Sequence, residues 1–400
     1  MIKWARNEMP KTDCSKSLSL MKSEEAEKVL RFHRTFPQYA ETPLVDLSSL
    51  AAHLGIKGIY VKDESFRFGI NSFKALGGTY AIAKHIDTVL KKDIAEIDHD
   101  TLVSDETRQK LGDITFYTAT DGNHGRGIAW AANRLRQKSV VFMPRGSSLI
   151  RLRNIQNEGA DASITDLNYD DTVRLAAVRA AADTCGVIVQ DTAWKGYEEI
   201  PGWIMQGYGT MSVEAIARLK DAGVEKPTHI FIQAGVGSLA GAIVGCFANF
   251  FPDDPPVVTV VEASAADCHY VSNLHGEMVG VKGDLSTIMA GLACGEVNTI
   301  SWDILKNYAQ FFVSAPDWVS ARGMRILSSP LKGDGRIISG ESGAVAAGLV
   351  FTLLRDAEYG DFRKALGITA DSTVLIFSTE GDTDPERYRN IIWDGEFPSG

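Results

Sequence analysis

Residues 114–136 read ITFYTATDGNHGRGIAWAANRLR, and this stretch sets the pattern of the whole chain. Ile114–Thr118 is a β-branched and aromatic run of strand length. A polar loop follows, Thr120-Asp121-Gly122-Asn123-His124-Gly125. Gly125–Arg136 then places small and apolar residues at helical spacing. The order is strand, glycine-bearing loop, helix, and it recurs. Gly58–Lys62, Ser139–Met143, Val187–Gln190, His229–Gln233, Val257–Val261 and Thr373–Phe377 are further strand candidates. Between them lie amphipathic stretches at Ser72–His85, Asp170–Ala182, Gly202–Ala222 and Gly343–Arg355. Such alternation predicts an α/β protein with mostly parallel, twisted sheets flanked by helices and joined by right-handed crossovers. Ligands of such sheets bind in the loops that leave the carboxyl ends of strands. Lys91–Gly112 is charged and weakly periodic, and reads as a surface excursion with some helix. The chain after Asp384 reads as a C-terminal surface segment.

Bulk composition narrows the partners. The chain has 400 residues, enough for two domains or one two-lobed unit. Its net charge of −10 disfavours nucleic acid and anionic membrane. The longest apolar run, near Ala240–Phe251, is too short to span a bilayer. The five cysteines are Cys14, Cys185, Cys246, Cys268 and Cys294; the count is odd and none form a C-x-x-C pair. That argues against a zinc ribbon or a disulfide scaffold, and no metal is expected. The amino terminus lacks the apolar core of a signal peptide. Reduced thiols and a cytoplasmic location are the plain expectation.

Four loops carry candidate chemistry. Asn71-Ser72-Phe73-Lys74 opens a helix in small and apolar company, unusual for a surface lysine. Unpaired N–H groups and the positive dipole end at a helix start favour a neutral amine nucleophile. The Thr120–Gly125 loop offers backbone N–H groups to an anion such as a substrate carboxylate, and Asn123 offers an amide to a phenolic oxygen. Asp121 there reads equally as a helix cap, and His124 as a structural histidine. Ala234-Gly235-Val236-Gly237-Ser238-Leu239 follows a strand and fits a phosphate. It half-resembles the dinucleotide fingerprint, with Glu262 as a candidate ribose partner, so a nicotinamide dehydrogenase stays a distant alternative. Ser378-Thr379-Glu380-Gly381-Asp382 brings hydroxyls to a strand end, where they suit a ring nitrogen.

Taken in this order, over roughly residues 40–385, the loops resemble the fold type II pyridoxal-phosphate enzymes, the group of tryptophan synthase β-subunit, threonine dehydratase and threonine synthase. The strings NSFKALGG, TDGNHGRG, QDTAWKGYEEIPGWIMQGY and FSTEGDTDP are similar to the diaminopropionate ammonia-lyase branch. The resemblance implies two lobes with the site in the cleft between them. Residues 1–70 and 191–400 would form the large, phosphate-binding domain and 71–190 the small one. It implies pyridoxal 5'-phosphate as cofactor, Lys74 as Schiff-base lysine, and Asn123 at the cofactor's 3-oxygen. Gly235, Val236, Gly237, Ser238 and Leu239 would hold the phosphate. Ser378 or Thr379 would meet the ring nitrogen, and alignment with the family's S-G-x-G-D favours Ser378. Ser72, Thr120, Asp121, Gly122 and His124 would bind substrate, and Asp121 and Asp191 would be the acid–base carboxylates. The implied substrate is a small amino acid, and the implied assembly a homodimer.

The generic dehydratase has serine where this chain has Asp121. A carboxylate beside a substrate carboxylate costs electrostatic energy unless a second ammonium answers it. An amino group on Cβ supplies that ammonium, and an acid beside it helps it leave. The expected reaction is therefore elimination from 2,3-diaminopropionate, of both D and L forms, to pyruvate and two ammonia. A serine or threonine dehydratase of the same fold is the alternative. Cys268 and Cys294 are expected to approach each other as free thiols, with a disulfide as the alternative.

Overall fold

The computed structural model describes residues 1–398. Its strands are β1 (Lys3–Arg6), β2 (Leu44–Asp46), β3 (Gly58–Asp63), β4 (Thr115–Ala119), β5 (Lys138–Met143), β6 (Asp161–Ile164), β7 (Gly186–Ile188), β8 (His229–Gln233), β9 (Val257–Ala263), β10 (Phe311–Ala315) and β11 (Thr373–Ser378). They form two sheets. The larger runs β1-β10-β9-β8-β11-β3-β2, parallel except for the antiparallel edge strands β1 and β2. The smaller runs β6-β5-β4-β7 and is parallel throughout. In β3, β8, β10 and β11 every residue is buried, as in parallel strands covered on both faces, and each has an apolar centre. The α/β class with parallel sheets is as expected.

The chain divides into two compact units. One comprises Met1–Lys22, Glu41–Phe66 and the chain from Met211 on; the other comprises Ser23–Ala40 and Arg67–Thr210. Both borders differ from the expected 71 and 190. The helix Ser23–His33 joins the second unit through buried His33, whose Nδ1 bonds Thr210 Oγ1 (2.7 Å) and whose Nε2 bonds the Leu76 carbonyl (3.0 Å). Residues after 190 stay there because glycines allow backbones to touch. A Cβ on Gly207 would lie 2.5 Å from the Leu76 oxygen. None of this long-range packing is written in local periodicity.

Other differences are local. The short strands β1, β2 and β6, and the apolar β10, were not anticipated. Lys91–Gly112 holds the short helices His99–Val103 and Asp105–Leu111, and buries Ile94, Ile97 and Leu102. The chain after Asp384 is not only a surface segment: Asp384 accepts from the Arg387 N–H and starts the helix Pro385–Ile392, which buries Tyr388 and Ile391. No helix among the described residues is long and apolar enough to cross a membrane.

Candidate active site

In the second unit, Lys74 is the first residue of the helix Lys74–Leu90. Its peptide is pressed against the helix Asn123–Arg134: a Cβ on Gly127 would lie 2.8 Å from the Lys74 carbonyl carbon. The Lys74 Nζ is 2.5 Å from Asp191 Oδ2 and lies near the rings of Phe73 and Tyr208, 5.2 and 5.9 Å from their centroids. Ser72 is buried, and its Oγ accepts a long bond from the Lys74 N–H (3.5 Å). Lys74 is thus a half-buried amine with one carboxylate and two aromatic faces for company.

Asp191 follows β7 and is buried. Burial works against its charge, but His124 and Lys74 outweigh it, and the carboxyl is held down to about 2. His124 Nε2 donates to the Val189 carbonyl (3.0 Å), while its Nδ1 lies 3.7 Å from Asp191 Oδ2. Burial pushes the His124 pKa down against the pull of Asp191, and Lys74 adds to the fall.

Asp121 has the opposite environment. It leaves β4 at the loop before the helix Asn123–Arg134 and is half-buried. Burial raises its pKa to about 7; Arg151 opposes the rise and Asp191 adds to it. Thr120 shapes this loop, its Oγ1 accepting from the N–H groups of Gly122 (2.9 Å) and Gly125 (3.0 Å). Those two N–H groups are therefore not available to a carboxylate, a reduction of the anion nest expected from the sequence. Gly122 sits at φ +157°, where a Cβ would meet Arg151 Cδ at 2.9 Å. Asn123 is half-buried at the first position of the helix.

In the first unit, the loop after β8 runs into the helix Ser238–Phe250. Gly237 has φ +100°, and a Cβ there would lie 2.4 Å from His269 Nε2 and 2.6 Å from Ser301 Oγ. A Cβ on Gly235 would lie 2.9 Å from the Gly291 oxygen. The loop is pinned by Asn298, whose N–H donates to the Val236 carbonyl (2.8 Å) and whose Nδ2 donates to Ser238 Oγ (2.8 Å). Residues 234–239 contain no cationic side chain, so what this loop itself offers an anion is backbone N–H groups and the helix dipole. That donor set fits a phosphate.

Glu262 is not placed as a ribose partner. Its buried carboxylate already accepts from the His269 N–H (2.8 Å), His269 Nδ1 (2.8 Å) and the Tyr270 N–H (2.7 Å). Glu262, Cys268 and His269 lie close enough to form a three-ligand cluster, but those bonds occupy the carboxylate. Cys268 and Cys294 are both buried, and they form no disulfide. Burial, then Glu262 and Cys294, push the Cys268 thiol well up, so it stays protonated.

At the end of β11, Ser378 Oγ donates to Ser339 Oγ (2.8 Å), and Thr379 Oγ1 accepts from Gln233 Nε2 (3.0 Å). Ser339, Gln233, Arg151 and Tyr208 all touch candidate residues and escaped the sequence reading. Ser339 had a signal: the small, polar run Ser339-Gly340-Glu341-Ser342-Gly343 before an apolar helix. Tyr208 ends the string QDTAWKGYEEIPGWIMQGY, which marked its stretch without giving it a role, and Gln233 and Arg151 had no signal.

A lysine beside an ionised carboxylate, a second carboxyl poised near neutrality, and an uncharged glycine loop suited to a phosphate are the groups expected of a pyridoxal-phosphate enzyme. The chain matches the model of the pyridoxal-phosphate dependent enzyme family over residues 35–378, and it belongs to that family. It is 49% identical to the diaminopropionate ammonia-lyase of Salmonella typhimurium, over 95% of this chain and 94% of that one. It is 46% identical to the diaminopropionate ammonia-lyase of Escherichia coli K12, over 94% and 93%. Its branch is that of the diaminopropionate ammonia-lyases. The Escherichia coli enzyme in complex with D-serine superposes with a TM-score of 0.92 at 42% identity, covering 100% of this chain and 98% of that chain. The same enzyme with an aminoacrylate–PLP azomethine reaction intermediate gives 0.89 at 42% identity, covering 99% and 98%.

Proposed function

We propose that this protein eliminates the β-amino group of 2,3-diaminopropionate, in both D and L forms, giving pyruvate and two ammonia with consumption of one water. Pyridoxal 5'-phosphate, when bound, supplies an electron sink for the Cα carbanion. Lys74 would bond its aldehyde carbon and Asn123 its 3-oxygen. The N–H groups of Gly235, Val236, Gly237, Ser238 and Leu239 would hold its phosphate, and Ser378 its ring nitrogen. Ser72, Gly122 and His124 would line the substrate position, with Thr120 shaping the loop.

The observation that carries this reading is the split between the two carboxyls. Asp121, raised to about 7, exchanges a proton at physiological pH, as a general acid or base must. It would hand a proton to the departing β-nitrogen and accept one from Cα on the face opposite Lys74. Asp191, held down to about 2, stays an anion. As an acid–base group it would serve mainly by holding and orienting the Lys74 ammonium at 2.5 Å. Two proton acceptors of different chemistry, Lys74 and Asp121, would let substrates of either hand react.

A cytoplasmic location and a homodimer belong to the same reading, the first supported by five cysteines that form no disulfide and the second by the habit of fold type II enzymes. The second reading is a serine dehydratase, favoured by the D-serine complex of the Escherichia coli relative. Purified protein with D- and L-2,3-diaminopropionate and D- and L-serine separates the two. Two ammonia per pyruvate, at a higher kcat/KM than serine, is expected; no pyruvate from the diamino acid would sink the reading.

A further inference from the structure

Ser378 and Ser339 are both fully buried, and the Ser378 hydroxyl donates to Ser339 Oγ across 2.8 Å. The pair is held by backbone. The Gly340 N–H donates to the Glu380 carbonyl (2.9 Å), and the Ser342 N–H donates to Glu380 Oε1 (2.9 Å). Gly343 leaves open the spot where a Cβ would lie 2.8 Å from Ser339 Oγ and 3.0 Å from the Thr379 nitrogen. These contacts clamp the segment 339–343 onto the loop after β11, so neither serine is free to drift from the other.

A serine hydroxyl has one proton and two lone pairs. With its proton turned onto Ser339, Ser378 presents only lone pairs to anything else. An unprotonated pyridine nitrogen is itself an acceptor. It therefore needs the same proton that Ser339 holds. A buried ring cation paired with a hydroxyl instead of a carboxylate would lack a counter-charge.

We infer that Ser339 is a positioning residue that competes with the cofactor's ring nitrogen for the single proton of Ser378. The inference rests on the assignment of Ser378 to the ring nitrogen proposed above. Its effect is to keep that hydrogen bond weak, so the ring draws electrons from Cα less strongly. A weak sink suits a reaction in which the β-substituent leaves as soon as Cα is deprotonated.

The test uses full-length holoenzyme reconstituted with pyridoxal phosphate labelled with 15N in the ring. In Ser339→Ala the Ser378 proton has no rival acceptor. The ring 15N resonance is expected to move upfield, toward a more strongly hydrogen-bonded pyridine, and cofactor affinity to rise about three- to tenfold, the worth of one neutral hydrogen bond. Ser339→Cys, a weaker acceptor of similar size, should fall between. Ser378→Ala is the control and should move the resonance toward that of a free pyridine. A Ser339→Ala resonance that stays put, or moves the way Ser378→Ala does, overturns the competition and leaves the Ser378 assignment standing. A Ser378→Ala resonance that does not move removes the assignment and the inference together.

Discussion

The two units handle charge in opposite ways. The second unit gathers Lys74, Asp121, His124, Arg151 and Asp191, every one titratable or charged. The loops at 234–239 and 378–379 in the first unit offer glycine N–H groups and hydroxyls, and no charged side chain. On the proposed reading, proton traffic would belong to the first set and grip to the second. A charged group near a phosphate or a ring nitrogen would fix the cofactor's electronic state. Backbone N–H groups and hydroxyls would hold it and leave that state adjustable. The charged set is itself divided, with one carboxyl raised to about 7 and the other held down to about 2.

The contrast breaks most completely at Lys74. Lys74→Met should lower pyruvate formation by at least roughly a thousandfold and abolish borohydride-stable attachment of the cofactor. Asp121→Asn comes next, with kcat/KM falling by roughly 10²–10⁴ and the pH limb near 7 lost. The same two carboxyls should leave opposite marks on stability. Asp121 has a folded pKa above its usual 3.8, so its contribution is full below pH 3.8 and is lost as pH rises through 7. Asp191 has a folded pKa below 3.8, so its contribution is full above pH 3.8 and is lost as pH falls through 2. Thermal unfolding against pH should show Asp121→Asn gaining on the parent as pH rises toward 7. Asp191→Asn should be weaker than the parent throughout that range. Parallel curves would mean the two carboxyls do not differ as described.

The neutral region breaks on shape instead. Gly237→Ala forces a side chain into φ +100° with a Cβ 2.4 Å from His269 Nε2. Strain of about 1–3 kcal/mol should weaken cofactor binding by roughly ten- to a hundredfold. Equilibrium dialysis of the apoprotein against pyridoxal phosphate measures it. Unchanged affinity would take the 235–239 loop out of the phosphate's reach.

What the sequence shows and hides follows the same physics. The strand cores β3, β8 and β11 and the loops after them were readable because local composition carries their signal: a buried β-branched run, then glycine. Asp121 was readable as a candidate because a carboxylate in an anion loop demands a reason. Its pKa was not, since it depends on Arg151, thirty positions later, and on burial. That the Thr120 hydroxyl takes the N–H groups of Gly122 and Gly125 was hidden for a like reason: whether an N–H faces outward or a neighbouring hydroxyl is settled by loop geometry. Ser23–Ala40 and residues 191–210 were assigned to the other domain because a glycine's close approach and a buried histidine's partners leave no periodic trace.

The finest test of the contrast is Arg151→Gln. Arg151 packs over Gly122 and is the one neighbour that lowers the Asp121 pKa, against burial and Asp191. Removing its charge leaves both raising influences unopposed, so the pKa of Asp121 should climb further above 7. The limb of kcat/KM assigned to Asp121 should move to higher pH by the same amount, with the plateau rate nearly unchanged because Asp121 itself remains. A loss of rate at every pH without movement of the limb would show Arg151 binding substrate rather than tuning the acid. A limb that moves to lower pH would mean that Asp121 is not the group that titrates. Either result would dissolve the division between a carboxyl kept near neutrality and one kept ionised.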